Sequence, residues 1–286
     1  MAVISKLPLP EFIRRAHPPR RFVVGAGIIV VFAGMAIFAP WLTPYGPEQV
    51  AGPYLSPPSL QHWMGTDNLG HDVMSQIMYG ARISLWVGFS VALAVTLIGT
   101  IVGLLAGFYR GGTDEALMRV TDVMLVLPAL PLAITLAAYL GPSTTTIIEV
   151  LTITSWPLVA RIVRSQTLSL RERPFTDAAR VIGASNRRIM LRVMIPNLIT
   201  LVAANAVLAI TGAVVGEAGL DFIGLGNPTI VSWGTMLYWA QNLNAVIDGA
   251  WWWILAPGLC IALVGLGAVL MSVSIENTFN PRLRSR

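Results

Sequence analysis

Long apolar blocks separated by polar, basic or proline- and glycine-rich intervals are the dominant pattern in this chain. Crossing the hydrocarbon layer as a helix takes about 20 mostly apolar residues. Six blocks meet that length: about 22–43, 80–109, 116–140, 145–164, 194–216 and 251–276. The third and fourth are divided only by Gly141-Pro142-Ser143. Glycine and proline within the blocks, among them Gly103, Gly107, Pro128, Pro131, Pro157 and Gly212, fit membrane helices, because neighbouring helices satisfy the backbone groups they free. The pattern predicts an all-α integral membrane protein with six transmembrane helices.

Composition agrees with that solvent. Of 286 residues 55% are hydrophobic and 12% charged, and the mean hydropathy is +0.69. Soluble domains carry about 25% charged residues. The single cysteine, Cys260, lies in the last apolar block, which excludes an intrachain disulfide and a cysteine metal site and suits a small hydrophobe in a helix. Residues 1–21 are basic and lack a short apolar core with a small-residue cleavage site, so they read as a retained leader.

The basic residues set the expected orientation, since Lys and Arg concentrate in short cytoplasmic segments. With the N-terminus inside, the leader holds Lys6, Arg14, Arg15, Arg20 and Arg21, and the second-to-third loop holds Arg110 and Arg119. The stretch from Arg161 to Arg192 holds eight, and the tail 277–286 holds Arg282, Arg284 and Arg286. Eighteen of nineteen basic residues then lie inside, with only Arg82 outside, and both termini are cytoplasmic. The net charge of +5 thus reflects orientation and anionic headgroups rather than nucleic acid. The expected organisation is a leader at 1–21, a first helix at 22–43, an external loop at 44–79 and a core at 80–286. The external segments 44–79 and 217–250 are acidic, through Glu48, Asp67 and Asp72 in one and Glu217, Asp221 and Asp248 in the other. Apart from Arg82 beyond its end, the outer side carries no basic residue. Trp41, Trp63, Trp233, Trp239 and Trp251-Trp252-Trp253 flank them, as an interfacial belt or as a docking face for an external partner.

Eighteen of the basic residues are arginine, and the one lysine, Lys6, has no glycine before it. A Walker A loop needs a lysine after its second glycine, so any ATP is hydrolysed elsewhere. A membrane hydrolase lacks support too: His17, His62 and His71 form no triad or His-x-x-Glu-His pattern. A secondary transporter needs ionisable groups at the bilayer midplane, whereas Asp122, Glu149, Arg161 and Arg164 all fall near predicted span ends. Thr96, Thr100, Asn205 and Thr211 lie within spans and suit either a polar pathway or helix–helix hydrogen bonds.

The richest polar interval is 172–196, between the fourth and fifth blocks. Pro174 suits an early helical position and Asp177 the first turn, where the helix dipole favours a carboxylate. Ala178 and Ala179 let another protein approach closely. Gly183 permits a sharp turn, Ser185 caps a second short helix, and Pro196 marks the start of the fifth span. Two short helices joined at a glycine, held against the bilayer, make a lever on the spans.

Asp177-Ala178-Ala179, Gly183 and Val193-x-Ile195-Pro196 resemble the EAA signature of ABC importer permeases, with Asp for Glu, Val for Ile and Ile for Leu. The resemblance implies a type I importer permease architecture in which this segment is a coupling helix seated on an ATPase subunit. Blocks beginning at Gly65-Thr-Asp-Asn-Leu-Gly-His-Asp and Tyr79-Gly-Ala-Arg, then Met118-Arg-Val-Thr-Asp, Ser155-Trp-Pro, Glu217-Ala-Gly-Leu-Asp and Asn280-Pro-Arg, are similar to the second subunit of dipeptide and oligopeptide permeases. His71 and Gln76 stand where those permeases often have Arg, and Asp221 where Ser is common. The family implies a bacterial inner-membrane importer of peptides, nickel chelates or other small solutes. Its implied partners are a homologous permease forming a heterodimer, two ATPase subunits or one fused ATPase, and an external substrate-binding protein. ATP and Mg belong to the ATPases, with no cofactor in this chain.

Overall fold

The computed structural model describes residues 19–279, and its regular elements are helices among these residues. Most of the basic leader, and the tail from residue 280, lie outside the described residues. In order come α1 (Arg20–Leu42), α2 (Val73–Tyr109), α3 (Gly111–Val126), α4 (Ala129–Leu140), α5 (Thr144–Arg171), α6 (Pro174–Val181) and α7 (Asn186–Ile189). A π turn at Met190–Met194 leads into α8 (Ile195–Phe222), followed by α9 (Trp233–Asn242) and α10 (Trp251–Phe279). Five helical stretches are long and apolar enough to cross a membrane, and the α3–α4 pair makes a sixth if counted as one bent span.

The helix α2 is the axis of the bundle. Its 37 residues correspond to about 55 Å, more than the roughly 30 Å of hydrocarbon. It starts seven residues before the apolar block at 80, because Asp72 caps it by accepting from the Ser75 N–H at 2.8 Å. Ser75 and Gln76 are buried under the preceding loop, so their polarity does not end the helix. Gly99, Gly103 and Gly107 recur once per turn on one face. A β-carbon at Gly99 would stand 2.6 Å from Val159 Cβ and one at Gly107 2.7 Å from Thr167 Cβ, while one at Gly103 would strike the Ala160 carbonyl. This small-residue stripe lets α5 lie parallel to α2 at close range. Nearer the start of α2, α8 runs antiparallel to it, with Gly88 against Val214 and Ser84 against Glu217.

Proline explains two departures from ideal helix. The third span is not continuous over 116–140: α3 and α4 meet at Leu127-Pro128 with an 89° bend. A residue before proline avoids helical torsions, and Leu127 is extended at φ −70°, ψ 128°. In α1, Pro40 has no N–H to give the Ala36 carbonyl. Arg82 takes that place, donating from Nε to Ala36 O at 2.5 Å and from Nη2 to Ile37 O at 3.0 Å. The lone basic residue on the expected outer side thus repairs a helix end.

Two apolar cores result. One gathers Phe32 of α1, Ile77 of α2, Trp233 of α9 and Trp253 of α10, with Phe32 and Trp233 edge to face at 5.5 Å. The other joins α2, α4, α5 and the start of α8 through Val95, Ala133, Val163 and Leu198. Cys260 is buried in the first.

Candidate functional site: the 172–196 excursion and the loop end

The chain leaves α5 at Arg171 and, after Glu172 and Arg173, starts α6 with Pro174 in its first turn. Thr176 turns inward and donates to the Leu170 carbonyl at 2.8 Å, pinning α6 to the end of α5. Asp177 points out and pairs with Arg180 at 2.8 Å across one turn. Gly183 adopts φ +75°. Its N–H donates to Arg180 O at 2.9 Å and that of Ala184 to Ala179 O at 3.0 Å. This pair of bonds is the Schellman closure that a left-handed residue after a helix allows. Ser185 then caps α7, accepting from the Arg188 N–H at 3.4 Å.

The second half is not a separate short helix. Asn186–Phe222 forms one rod with a π turn inside it. Pro196 supplies the reason, because its ring crowds the carbonyl four residues back and it has no N–H for it. The wider turn accommodates this, and the Ile195 N–H donates to Met190 O. Of the motif residues, Asp177, Ala178, Gly183 and Pro196 are exposed. Ala179, Val193 and Ile195 are half-buried and pack on the second core. The segment therefore has a rooted face and an open one, and the open one carries Phe175, Val181 and Ile182, the last two 87% and 73% exposed.

Ion pairs line the same end. Arg110 meets Glu172 at 2.5 Å, Arg164 grips Asp114 with both Nε and Nη2 at 2.6 Å, and Arg161 meets Asp122 at 2.5 Å. Three of the four ionisable residues at the predicted span ends belong here, while Glu149 is exposed on α5. Thr211 reaches across to the Gly265 carbonyl of α10 at 3.5 Å, and Asn205 bonds back to Leu201 of its own helix at 2.8 Å. Thr96 and Thr100 have buried hydroxyls without a partner among the described residues.

The opposite end holds the loop 43–72 and α9. His62 and Asp72 pair at 3.0 Å, both buried, and Asp67 accepts from His71 Nδ1 at 2.8 Å and Gln76 Nε2 at 2.9 Å. Three of the seven tryptophans expected in a belt or docking face are core residues instead. Trp233 is fully buried and donates to the Ile77 carbonyl at 3.1 Å; Trp252 donates to Thr66 O at 3.2 Å; Trp253 is buried beside them. They fasten α9 and the loop to α2 and α10. Trp41, Trp63, Trp239 and Trp251 stay exposed.

Glu217 and Asp221 are the functional candidates that hydropathy missed. They do not begin an external segment; α8 continues to Phe222 and buries both. Ser84 donates to Glu217 at 3.2 Å and Ser232 to Asp221 at 2.6 Å, while the Trp233 N–H donates to Ser84 at 3.2 Å. Gly226 and Gly234 leave the room in which the Asp221 side chain lies. Their spacing of four residues, which puts both on one helix face, was the available signal.

A multi-pass helical bundle with a rooted but open polar excursion before its penultimate long helix defines a membrane transport permease. The chain belongs to the family of binding-protein-dependent transport system inner membrane components, whose model matches residues 99–285. The N-terminal transmembrane domain of oligopeptide transport permease C matches residues 11–70. The dipeptide transport system permease protein of Escherichia coli (strain K12) is 38% identical, over 99% of this chain and 96% of its own. That of Alkalihalophilus pseudofirmus is 36% identical, over 97% and 91%. The di/tripeptide transport system permease protein of Pseudomonas aeruginosa is 34% identical, over 99% and 95%. Among solved structures, the MetNI methionine ABC transporter in an inward-facing conformation superposes with a TM-score of 0.51 at 18% identity, over 67% of this chain and 97% of that one. The fold is that of an ABC importer permease.

Proposed function

We propose that the chain is one of two permease subunits of an ATP-driven importer that carries di- or oligopeptides across the bacterial cytoplasmic membrane. The names of its full-length relatives support the peptide class. The charge partition supports an orientation with both termini and the 172–196 excursion in the cytoplasm, and the 43–72 loop and α9 outside. An external binding protein delivers solute to the outer end. A homologous permease completes the channel, and two ATPase subunits, or one fused ATPase, bind ATP and Mg and hydrolyse the nucleotide.

The observation that carries this reading is the open face of α6. Exposed Phe175, Val181 and Ile182 at a polar end of the bundle are an apolar surface that needs a protein partner. Ala178 beside them lets a groove on an ATPase close over the helix. ATP favours the closed ATPase pair, and only that differential affinity drives the permease between states. Asp177, Ala178 and Gly183 lie on the contacting side, Ala179 roots α6 on the core, and Val193, Ile195 and Pro196 carry the movement into α8.

Ala178→Arg tests the assignment, because the exposed methyl is dispensable to the fold. The variant inserts normally, but solute-stimulated ATP turnover by the assembled transporter falls at least about tenfold, as loss of a central interface contact does. Unchanged turnover removes α6 from the coupling role.

A further inference from the structure

Arg110, Arg161, Arg164 and Arg180, at the excursion end of the bundle, each meet a carboxylate. Arg187, Arg188 and Arg192 do not. All three are exposed, and their side chains have no ion pair or hydrogen bond among the described residues. No aspartate or glutamate stands between Asp177 and Glu217 to supply a local partner. The three arginines line one open recess of about 240 Å³ together with Ser185 and Leu191. Ser185 Oγ accepts the Arg188 N–H, which leaves its own hydrogen to donate elsewhere. Leu191 is 50% exposed among these cations. The recess therefore offers guanidinium donors, a hydroxyl donor and one apolar contact, with no acid to compete for the arginines.

The place of the recess along the rod Asn186–Phe222 indicates which anion it meets. The apolar block of that rod starts two residues after Arg192, and Ile199, about 10 Å further along it, is 60% exposed. The arginines thus stand at the edge of the hydrocarbon, where long cationic side chains keep their heads among the lipid headgroups. We infer that the recess binds the phosphodiester of an anionic phospholipid. Guanidinium forks match phosphate oxygens in geometry and charge, Ser185 donates a further hydrogen bond, and Leu191 meets the root of the acyl chains. A zwitterionic lipid carries the same phosphate, but its ammonium group is repelled by three unpaired cations. The bound lipid holds the base of the rod at headgroup level, beside the α6 segment that moves.

The test is native mass spectrometry of the full chain in neutral detergent, titrated with phosphatidylglycerol, phosphatidylcholine and glycerophosphoglycerol, the headgroup without chains. Phosphatidylglycerol binds at least about tenfold more tightly than phosphatidylcholine, since each arginine near an anionic lipid contributes about fivefold. The triple variant Arg187→Gln, Arg188→Gln and Arg192→Gln erases that preference. The triple lysine variant at the same positions keeps the charge and retains most of it, which separates loss of charge from loss of fold. Arg119→Gln, which removes an arginine already paired with Glu115 on α3, changes nothing. Glycerophosphoglycerol and inorganic phosphate fail to displace the lipid, because neither brings an acyl chain to Leu191. Equal binding of the two lipids, a preference that survives the triple glutamine variant, or an equal loss with Arg119→Gln overturns the site. Displacement by inorganic phosphate overturns the lipid and leaves a plain anion site. If the triple glutamine variant keeps its lipid preference but no longer co-purifies with the ATPases, the patch is a protein contact and the lipid site is refuted.

Discussion

At Gly183 a single torsion decides how α6 ends. Its φ of +75° is one that L-residues adopt at a cost of about 1–2 kcal/mol, and a β-carbon there meets nothing within 4 Å. The penalty for Gly183→Ala is therefore conformational and not steric. Asparagine tolerates the left-handed region better. Solute-stimulated ATP turnover of the assembled transporter then ranks glycine above asparagine above alanine; equal turnover for the two variants removes φ as the constraint. Arg82 makes a second case. Arg82→Ala strands the Ala36 carbonyl that Pro40 left without a donor, which lowers stability by about 1 kcal/mol. Thermal unfolding in detergent detects the loss, and Pro40→Ala, by restoring a helical N–H, abolishes it. The glycine was legible as a hinge from its place between two short helical patterns. The arginine's role was not, because its partner carbonyl lies more than forty residues away.

Among the elements, what hydropathy could read was the existence and order of the long helices. What it could not read was where packing overrides polarity. Ser75 and Gln76 belong to α2, where they donate to the carboxylates of Asp72 and Asp67, and Glu217 and Asp221 belong to α8, where they accept from the hydroxyls of Ser84 and Ser232. The break at Leu127-Pro128 was hidden because proline is tolerated in membrane helices, and only the path of α4 against α5 shows that this one bends the span. The glycine stripe of α2 carries the matching prediction. Gly103→Val drives a side chain into the Ala160 carbonyl and Val163, and overpacking of that kind destabilises by about 1–3 kcal/mol. Gly34→Ala on α1, where a β-carbon meets nothing, serves as the control and leaves the unfolding temperature unchanged or slightly raised. If both variants unfold alike, the stripe does not set the α2–α5 distance.

At the scale of the whole molecule, the question is how movement at α6 reaches the rest of the bundle. Only Glu172 and Arg173 separate α5 from α6, so a displaced α6 acts first on the end of α5. From there the glycine stripe leads to α2, and the ion pairs Arg110–Glu172, Asp114–Arg164 and Asp122–Arg161 lead to the antiparallel α3. The middle pair is bidentate and the least exposed of the three, with 31% and 17% of its side chains accessible. Exposed pairs contribute about 0–1 kcal/mol, so the middle one governs whether α3 follows α5. Asp114→Arg or Arg164→Asp alone places like charges together and frees α3, and solute-stimulated ATP turnover falls several-fold while membrane insertion is unchanged. The exchange Asp114→Arg with Arg164→Asp restores the attraction and recovers most of the turnover, a non-additivity that a double-mutant cycle measures directly. Full activity in both single variants would show the pair to be a solvated surface contact, and transmission would then run through the α2–α5 packing alone.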